Sequence, residues 1–221
     1  MIERGKIILS FDLDNTLINN KEGITNSFNY ALRKFNFSEI ERVKIEKMIG
    51  IPLNQMFSKV ADLDPSILSS AFREYYGSKG IYQSHLLPGV KKKLKELKKH
   101  NFIMGVITSK KQEMAERILE ILKIKKYFNY VLGETEERKE LGKLDPKLKT
   151  ILQEKYPGCN IIVIGDHPKD VLLSNNLNCP FIGVLTGHHS INQLMDLKEG
   201  KRLVINSIRD ITLKQIYSLL E

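Results

Sequence analysis

The sequence predicts an α/β protein: a doubly wound parallel sheet with a small α-helical domain inserted into it. Short apolar runs alternate with amphipathic helical segments, a pattern that is typical of parallel strands joined by helices. About 90 residues separate the first two predicted strands, far more than one crossover needs. Most of that stretch repeats apolar residues at helical spacing, which indicates a separate helical insertion.

The predicted core elements follow one another along the chain. Strands are expected near 6–11, 102–107, 129–132, 161–165 and 180–184, with a further short strand at 202–206. Helices are expected near 89–100, 111–123, 146–155 and 169–177. A last helix is predicted to begin at Asp210, because aspartate is a favourable N-cap residue.

The insertion is predicted to span residues 18–85, which leaves 1–17 and 86–221 for the α/β core domain. Apolar residues repeat at three- and four-residue spacing in two places, at Phe28, Ala31, Leu32 and Phe35 and at Ile67, Leu68, Ala71 and Phe72. Because the insertion begins just after the first strand, we expect it to close over a site at that strand end and to exclude water.

Composition narrows the class of protein. Apolar residues make up 42% of the chain, and no apolar run approaches the roughly 18 residues that a membrane span needs. The N-terminus has no signal-peptide pattern, so we expect a cytoplasmic protein without a membrane partner. We expect it to be a monomer or a homodimer. Cys159 and Cys179 precede two predicted strands. We expect them to be free thiols in a reducing compartment, although their pairing stays open.

The chain is basic, with a net charge of +9 from 35 Lys and Arg against 26 Asp and Glu. Its densest basic run, 91–99, places Leu94 and Leu97 on one helical face, which indicates an exposed amphipathic helix. No aromatic residues interleave with these lysines, which argues against a platform for single-stranded nucleic acid. We therefore expect no nucleic-acid partner, and a positive field that favours a small phosphorylated metabolite.

Two aspartates, Asp12 and Asp14, follow the first predicted strand. A second acidic pair, Asp166 and Asp170, follows the apolar run at 161–164. Ligands bind at the carboxyl ends of strands in open α/β sheets, and about four carboxylates at one such edge repel one another unless a cation compensates them. Mg²⁺ prefers carboxylate oxygens as ligands, with water and substrate phosphate completing its octahedral coordination. Mg²⁺ is therefore the expected cofactor.

Four segments resemble the motifs of the haloacid dehalogenase superfamily, in the order that the family has them. They are Asp12-Leu13-Asp14-Asn15-Thr16, the hydroxyl residues Thr108-Ser109 after a hydrophobic run, Lys143 before a predicted helix, and Gly165-Asp166-His167-Pro168-Lys169-Asp170. The insertion also resembles the helical cap of phosphoglycolate-phosphatase-like members, at Gly50-Ile51-Pro52 and at 87–90. The chain departs from the family at Asn19-Asn20, Leu144 and His167, so the substrate and the role of His167 stay open.

The resemblance implies phosphoryl transfer through an aspartyl-phosphate on a Rossmann-like core. In this interpretation Asp12 is the nucleophile, and Asp14 is the general acid and base. Mg²⁺ would be held by Asp12, by the backbone carbonyl of Asp14 and by Asp166. Asp170 would orient the metal shell or the catalytic Lys143, and Thr16 would support the same carboxylates.

The resemblance also implies a set of substrate contacts. Thr108, with Ser109 beside it, would bind phosphate oxygens, as would Lys143 and the backbone amides near Leu13 to Asn15. Arg73, on a predicted helix of the insertion, is a candidate substrate contact. Lys139 and Lys147 are the nearest alternatives to Lys143.

The expected function is therefore Mg²⁺-dependent hydrolysis of a small phosphomonoester such as phosphoglycolate. Asp14 argues against dehalogenation, because dehalogenating relatives lack that second aspartate. A phosphonate-cleaving enzyme would need a buried lysine in the cap, which nothing in the sequence marks. A sugar-phosphate mutase uses the same four motifs and stays open, as does a non-catalytic binding or regulatory protein on the same fold.

Overall fold

A computed structural model of the protein describes residues 6–136, 142–195 and 200–221. Within them, a six-stranded sheet has the order β5-β4-β1-β6-β7-β8, and β2 and β3 form a separate two-stranded sheet. The strands are β1 (Ile7–Phe11), β2 (Ile18–Asn19), β3 (His85–Leu86), β4 (Ile103–Lys111), β5 (Tyr130–Glu134), β6 (Asn160–Gly165), β7 (Phe181–Val184) and β8 (Arg202–Ile205). All neighbours in the larger sheet pair in parallel, so the predicted parallel sheet is confirmed.

The sheet divides at its centre, which locates the candidate site. From β1 the chain adds β4 and β5 on one side, and then β6, β7 and β8 on the other. The order of the strands therefore reverses between β1 and β6, and ligands bind at the carboxyl ends of strands at such a point. All five residues of β1 are buried, which agrees with the apolar run Ile7-Ile8-Leu9 at its start.

Ten α-helices are described in the three ranges. They are α1 (Lys21–Lys34), α2 (Arg42–Met48), α3 (Leu53–Phe57), α4 (Pro65–Ser78), α5 (Val90–Lys99), α6 (Gln112–Ile121), α7 (Lys147–Lys155), α8 (Pro168–Leu177), α9 (Ile191–Met195) and α10 (Leu213–Leu220). In the basic helix α5, Leu94 and Leu97 are buried and most lysines are exposed, as predicted. Lys93 is the exception, because its ammonium is buried and donates to the Ile211 carbonyl at 2.7 Å.

The start of the last helix differs from the prediction. Helix α10 begins at Leu213, and its N-cap is Thr212 rather than Asp210. Thr212 and Gln215 exchange side-chain and backbone hydrogen bonds, which satisfies two amides of the first turn. Asp210 instead ends a short 3₁₀ turn, where its carboxylate accepts a hydrogen bond from the Ser207 amide at 3.1 Å.

The chain divides into two compact units: residues up to Ile18 together with Leu86–Glu221, and Asn19–His85. The first contains the six-stranded sheet. The second is helical, and its interior includes stacked rings of Phe28 and Phe57 with centroids 4.2 Å apart. Four helices, α1 to α4, lie in this second unit.

The two cysteines are free thiols, as expected. Burial raises the pKa of Cys179 to about 12 and also raises the pKa of Cys159. Among the described residues, none of the helices combines the length and hydropathy that a bilayer crossing requires.

Candidate active site

Asp12 continues directly from β1 into a tight turn. Its backbone amide donates to the Ile164 carbonyl of β6 at 2.8 Å, which extends the pairing of the strands by one residue. The amides of Leu17 and Ile18 then both donate to the Leu13 carbonyl, and Asn15 has a φ of 58°. Asparagine tolerates this left-handed conformation better than most residues, so Asn15 fits the turn that follows the nucleophile candidate.

The turn brings Thr16 back to the acidic residues. The Thr16 hydroxyl donates to Asp166 Oδ1 at 3.0 Å and lies 3.5 Å from Asp12 Oδ2. The Asn15 amide donates to the Ile18 carbonyl at 2.8 Å. That amide is therefore occupied within the turn, and the expectation that it contacts a phosphate finds no support in this geometry.

Asp166 and Asp170 enter the site from β6 and the helix that follows it. Asp166 comes after the last residue of β6, Gly165, and Asp170 lies in the first turn of α8. Asp170 Oδ2 accepts from the His167 amide at 3.1 Å. A Cβ on Gly165 would lie 2.2 Å from Asp170 Oδ2, so glycine is required for the carboxylate to pack there.

Lys143 lies between two of these acids. Its ammonium donates to Asp12 Oδ1 and, at 2.7 Å, to Asp170 Oδ1. The residue is only 5% exposed. Burial pulls the pKa of Lys143 down, but the Asp12 and Asp170 carboxylates outweigh it, so the pKa is raised. Of the two alternatives, Lys147 is exposed at the start of α7, and Lys139 lies outside the described residues.

Asp12, Asp166 and Asp170 form one buried acidic cluster. One oxygen from each lies within 4.8 Å of the others, and among the described residues the carboxylate of Asp14 does not belong to this group. Burial raises the pKa of Asp12 to about 7, although the Lys143 ammonium opposes the shift and the Asp170 carboxylate adds to it. Burial and the Asp12 charge raise the pKa of Asp166 well above its ordinary value.

This cluster fits a divalent metal ion. All its donors are carboxylate oxygens, which hard cations such as Mg²⁺ prefer. A single ammonium leaves the charge of three close carboxylates only partly compensated, and a bound cation would stabilise their ionised forms. The acidic cluster of Asp12, Asp166 and Asp170 could therefore bind a metal.

Thr108 and Ser109 lie within β4 and not after it, which corrects the prediction. Between Ile107 and Lys111 the strand advances four positions while its partner β5 advances two, from Leu132 to Glu134. β4 thus continues beyond the expected end at 107 and contains an irregularity of a kind that is common next to active sites. Thr108 is buried and Ser109 is exposed.

Two residues that contact the predicted acids were not among the predicted site residues. Lys110 Nζ lies 3.3 Å from Asp14 Oδ2. A Cβ on Gly187 would lie 1.8 Å from Asp166 Oδ2, so only glycine allows this approach. The one sequence signal for Lys110 was its position just after Thr108-Ser109. The sequence did not distinguish it from Lys111, the neighbouring lysine, which is exposed.

His167 is the N-cap of α8. Its Nδ1 accepts from the Lys169 amide at 3.0 Å, and burial lowers its pKa to about 3, so the ring is neutral at neutral pH. The ring lies against His189 with centroids 4.4 Å apart. Arg73, the remaining predicted contact, is exposed on α4 of the helical unit.

A model of the haloacid dehalogenase-like hydrolase family matches residues 8–184. The chain belongs to this family. The match includes both acidic pairs and Lys143, and it confirms the resemblance that the four motifs indicated.

Named relatives agree with this assignment. The chain is 27% identical over 195 residues to a phosphoglycolate phosphatase of Vibrio parahaemolyticus, covering 82% of this chain and 85% of the relative. It is 27% identical over 187 residues to a 5'-nucleotidase of Pseudomonas aeruginosa, covering 83% and 85%. The crystal structure of a predicted phosphatase from Clostridium acetobutylicum has a TM-score of 0.82 and 28% identity, covering 97% of this chain and 99% of that one. The protein is thus a phosphatase-type hydrolase of the haloacid dehalogenase-like family.

Proposed function

We propose that the protein hydrolyses a small phosphomonoester in a Mg²⁺-dependent reaction, through an aspartyl-phosphate on Asp12. The observation that carries this proposal is the Lys143 ammonium between Asp12 and Asp170, within a buried cluster that also contains Asp166. A fixed cation beside the nucleophile offsets the charge of both the carboxylate and the transferred phosphoryl group.

In the first half of the reaction, an Asp12 oxygen forms a bond to phosphorus and the ester P–O bond breaks. The leaving oxygen takes the electron pair of that bond and a proton from Asp14. In the second half, Asp14 takes a proton from a water molecule while the oxygen of that water attacks phosphorus. The acyl-phosphate P–O bond breaks, which releases phosphate and restores Asp12.

The other residues hold these groups in place. Both Asp170 oxygens accept hydrogen bonds, from Lys143 and from the His167 amide, which suits a residue that orients Lys143. Mg²⁺, held by Asp12, Asp166 and the Asp14 backbone carbonyl, would supply charge compensation for the phosphoryl oxygens. Thr16 donates to Asp166 and so fixes one of these carboxylates.

The proposed substrate is a small phosphorylated metabolite, with phosphoglycolate the first to test. The name of the Vibrio parahaemolyticus relative supports this choice. We propose that Thr108 and Lys143 bind the phosphate oxygens, with Ser109 beside them, and that residues 19–85 act as a cap through which Arg73 contacts the rest of the substrate. For Asn15 we propose a role in shaping the turn after β1, in place of the expected contact between its backbone amide and phosphate.

The test is phosphate release from phosphoglycolate, sugar phosphates, nucleotides and pyrophosphate, with Mg²⁺ and with EDTA. We expect Mg²⁺-dependent release on a narrow group of esters. Asp12→Asn is expected to abolish turnover in a folded protein, whereas Asp62→Asn, at an exposed aspartate, is expected to keep it. An active Asp12→Asn enzyme would contradict the assignment of the nucleophile. Conversion of a sugar phosphate that depends on a bisphosphate and retains the phosphate, without net release, would favour a mutase instead.

A further inference from the structure

Asp14 forms an ion pair with a lysine of β4. Its Oδ2 lies 3.3 Å from Lys110 Nζ, and the two side chains are only 22% and 13% exposed. Exposed ion pairs contribute little because water screens them. With most of both side chains shielded, the attraction between these two charges is screened less, so the pair can fix the direction of the Asp14 carboxylate.

The backbone of β4 delivers Lys110 to this position. Phe11, the last residue of β1, pairs with Val106 of β4. Because β4 continues to Lys111, Lys110 lies four positions beyond that pair, alongside the turn that carries Asp14. The backbone amide of Lys110 donates to Thr108 Oγ1 at 3.2 Å within the bulged segment. The ion pair places the Lys110 side chain at the turn that carries Asp14, next to the irregular segment of β4.

Proton transfer to a leaving oxygen depends on where the acid points. A general acid must lie within hydrogen-bond reach of the atom that it protonates, and a misplacement of about 1 Å can cost about 10²-fold in rate. Asp14 lies on the turn after β1, and its carboxylate does not belong to the acidic cluster of Asp12, Asp166 and Asp170. The ion pair with Lys110 is a contact that can set the direction of this carboxylate.

We propose that Lys110 is a positioning residue for Asp14, holding the carboxylate by Oδ2 while Oδ1 exchanges the proton with the leaving oxygen and then with water. Bond making and breaking remain those of the proposed hydrolysis, on which this inference rests. Lys110 neither gains nor loses a proton in either half of the reaction. Its contribution is greatest for substrates whose leaving oxygen is strongly basic, because those require protonation as the P–O bond breaks.

The experiment compares two aryl esters of similar size, phenyl phosphate and p-nitrophenyl phosphate, on the Mg²⁺-loaded full chain. Phenoxide is the more basic leaving group and needs the acid more. The variants are Lys110→Met, Lys110→Arg and the control Lys111→Met, at the exposed neighbouring lysine. Circular dichroism reports folding, and Lys110→Gln replaces Lys110→Met if the methionine variant does not fold.

We expect Lys110→Met to lower kcat on phenyl phosphate at least about tenfold more than on p-nitrophenyl phosphate, within the 10²–10⁴-fold that general acid–base catalysis typically contributes. Lys110→Arg should recover most of the turnover on phenyl phosphate, and Lys111→Met should show no dependence on the leaving group. An equal loss on both esters, a change confined to KM, or no loss would overturn the proposal. Failure of the unmodified enzyme to release phosphate from both aryl esters and from every ester of the panel above would contradict the proposed function itself, and the inference with it.

Discussion

The Thr16 hydroxyl donates a hydrogen bond to Asp166 Oδ1 at 3.0 Å, across 150 residues of sequence. The contact joins the turn after β1 to the end of β6, at the point where the order of the strands reverses. Two motifs that are distant in the chain therefore form one site, and their side chains hold one another in place.

Lys143→Met should nearly abolish turnover. The substitution removes the cation that contacts Asp12 and Asp170 and leaves two buried carboxylates without it. Loss of one preorganised electrostatic contact of this kind costs about 10²–10³ in kcat. The measurement is steady-state hydrolysis of p-nitrophenyl phosphate, with folding checked by circular dichroism. Lys147→Met, at the exposed start of α7, is the matched control, and equal activity of the two variants would refute the assignment.

Gly187→Ala should weaken metal binding. The new Cβ would lie 1.8 Å from Asp166 Oδ2, so the carboxylate must move. Changes to groups that orient metal ligands typically cost 10–100-fold in affinity, and we expect about that loss in calorimetric titration with Mg²⁺. His188→Ala, at an exposed residue of the same loop, should bind Mg²⁺ as the parent does. Unchanged affinity in Gly187→Ala would show that Asp166 does not hold the metal.

The metal-free protein should lose stability as pH rises. The pKa of Asp12 is about 7 in the fold and 3.8 as a free side chain. The folded state therefore keeps a proton that the unfolded chain releases between those values, and stability falls across that range as pH increases. Mg²⁺ favours the ionised carboxylate, so it should raise Tm more at pH 8 than at pH 5.

Thermal unfolding in EDTA and in Mg²⁺, at both pH values, measures this linkage. Asp12→Asn removes the titrating group and should reduce the pH dependence in EDTA. A Tm at pH 8 that does not respond to Mg²⁺ would argue against a metal at the acidic cluster.

Thr212→Ala should destabilise the protein through α10. Loss of a threonine N-cap costs about 0.5–2 kcal/mol, and Thr212 exchanges hydrogen bonds with Gln215 in both directions. Urea unfolding of the variant measures the lost free energy of unfolding. The substitution should leave turnover unchanged. Thr150→Ala, at an exposed position within α7, is the control. A free energy of unfolding equal to that of the parent would show that the cap does not hold the helix.

Strand ends made much of the site predictable. Asp12 and Asp166 each follow a strand rich in apolar residues, and parallel strands bring their carboxyl ends to one edge of the sheet. Lys143 and Asp170 were found through their spacing relative to the other motifs. The structure brings all four together, and their chemical roles remain predictions.

The residues that sequence reasoning missed depend on geometry that no local pattern encodes. Lys110 reaches Asp14 from a part of β4 that extends beyond the predicted end of the strand at 107, and the pair joins residues that are distant in the chain. Gly187 was missed because its requirement comes from the Asp166 carboxylate, which is distant in the chain. The start of α10 was misplaced because Asp210 and Thr212 are both acceptable caps, and only the reciprocal contact with Gln215 decides between them.

The most direct test of the account is detection of the phosphorylated nucleophile. The Mg²⁺-loaded enzyme is mixed with a substrate from the panel, quenched in acid during turnover and reduced with borohydride, which converts an aspartyl-phosphate to homoserine. Mass spectrometry of the peptide that contains Asp12 and Asp14 then locates the modified residue. The account predicts substrate-dependent conversion of Asp12 alone, and none in Asp14. Conversion at Asp14, or turnover without conversion at either residue, would contradict it.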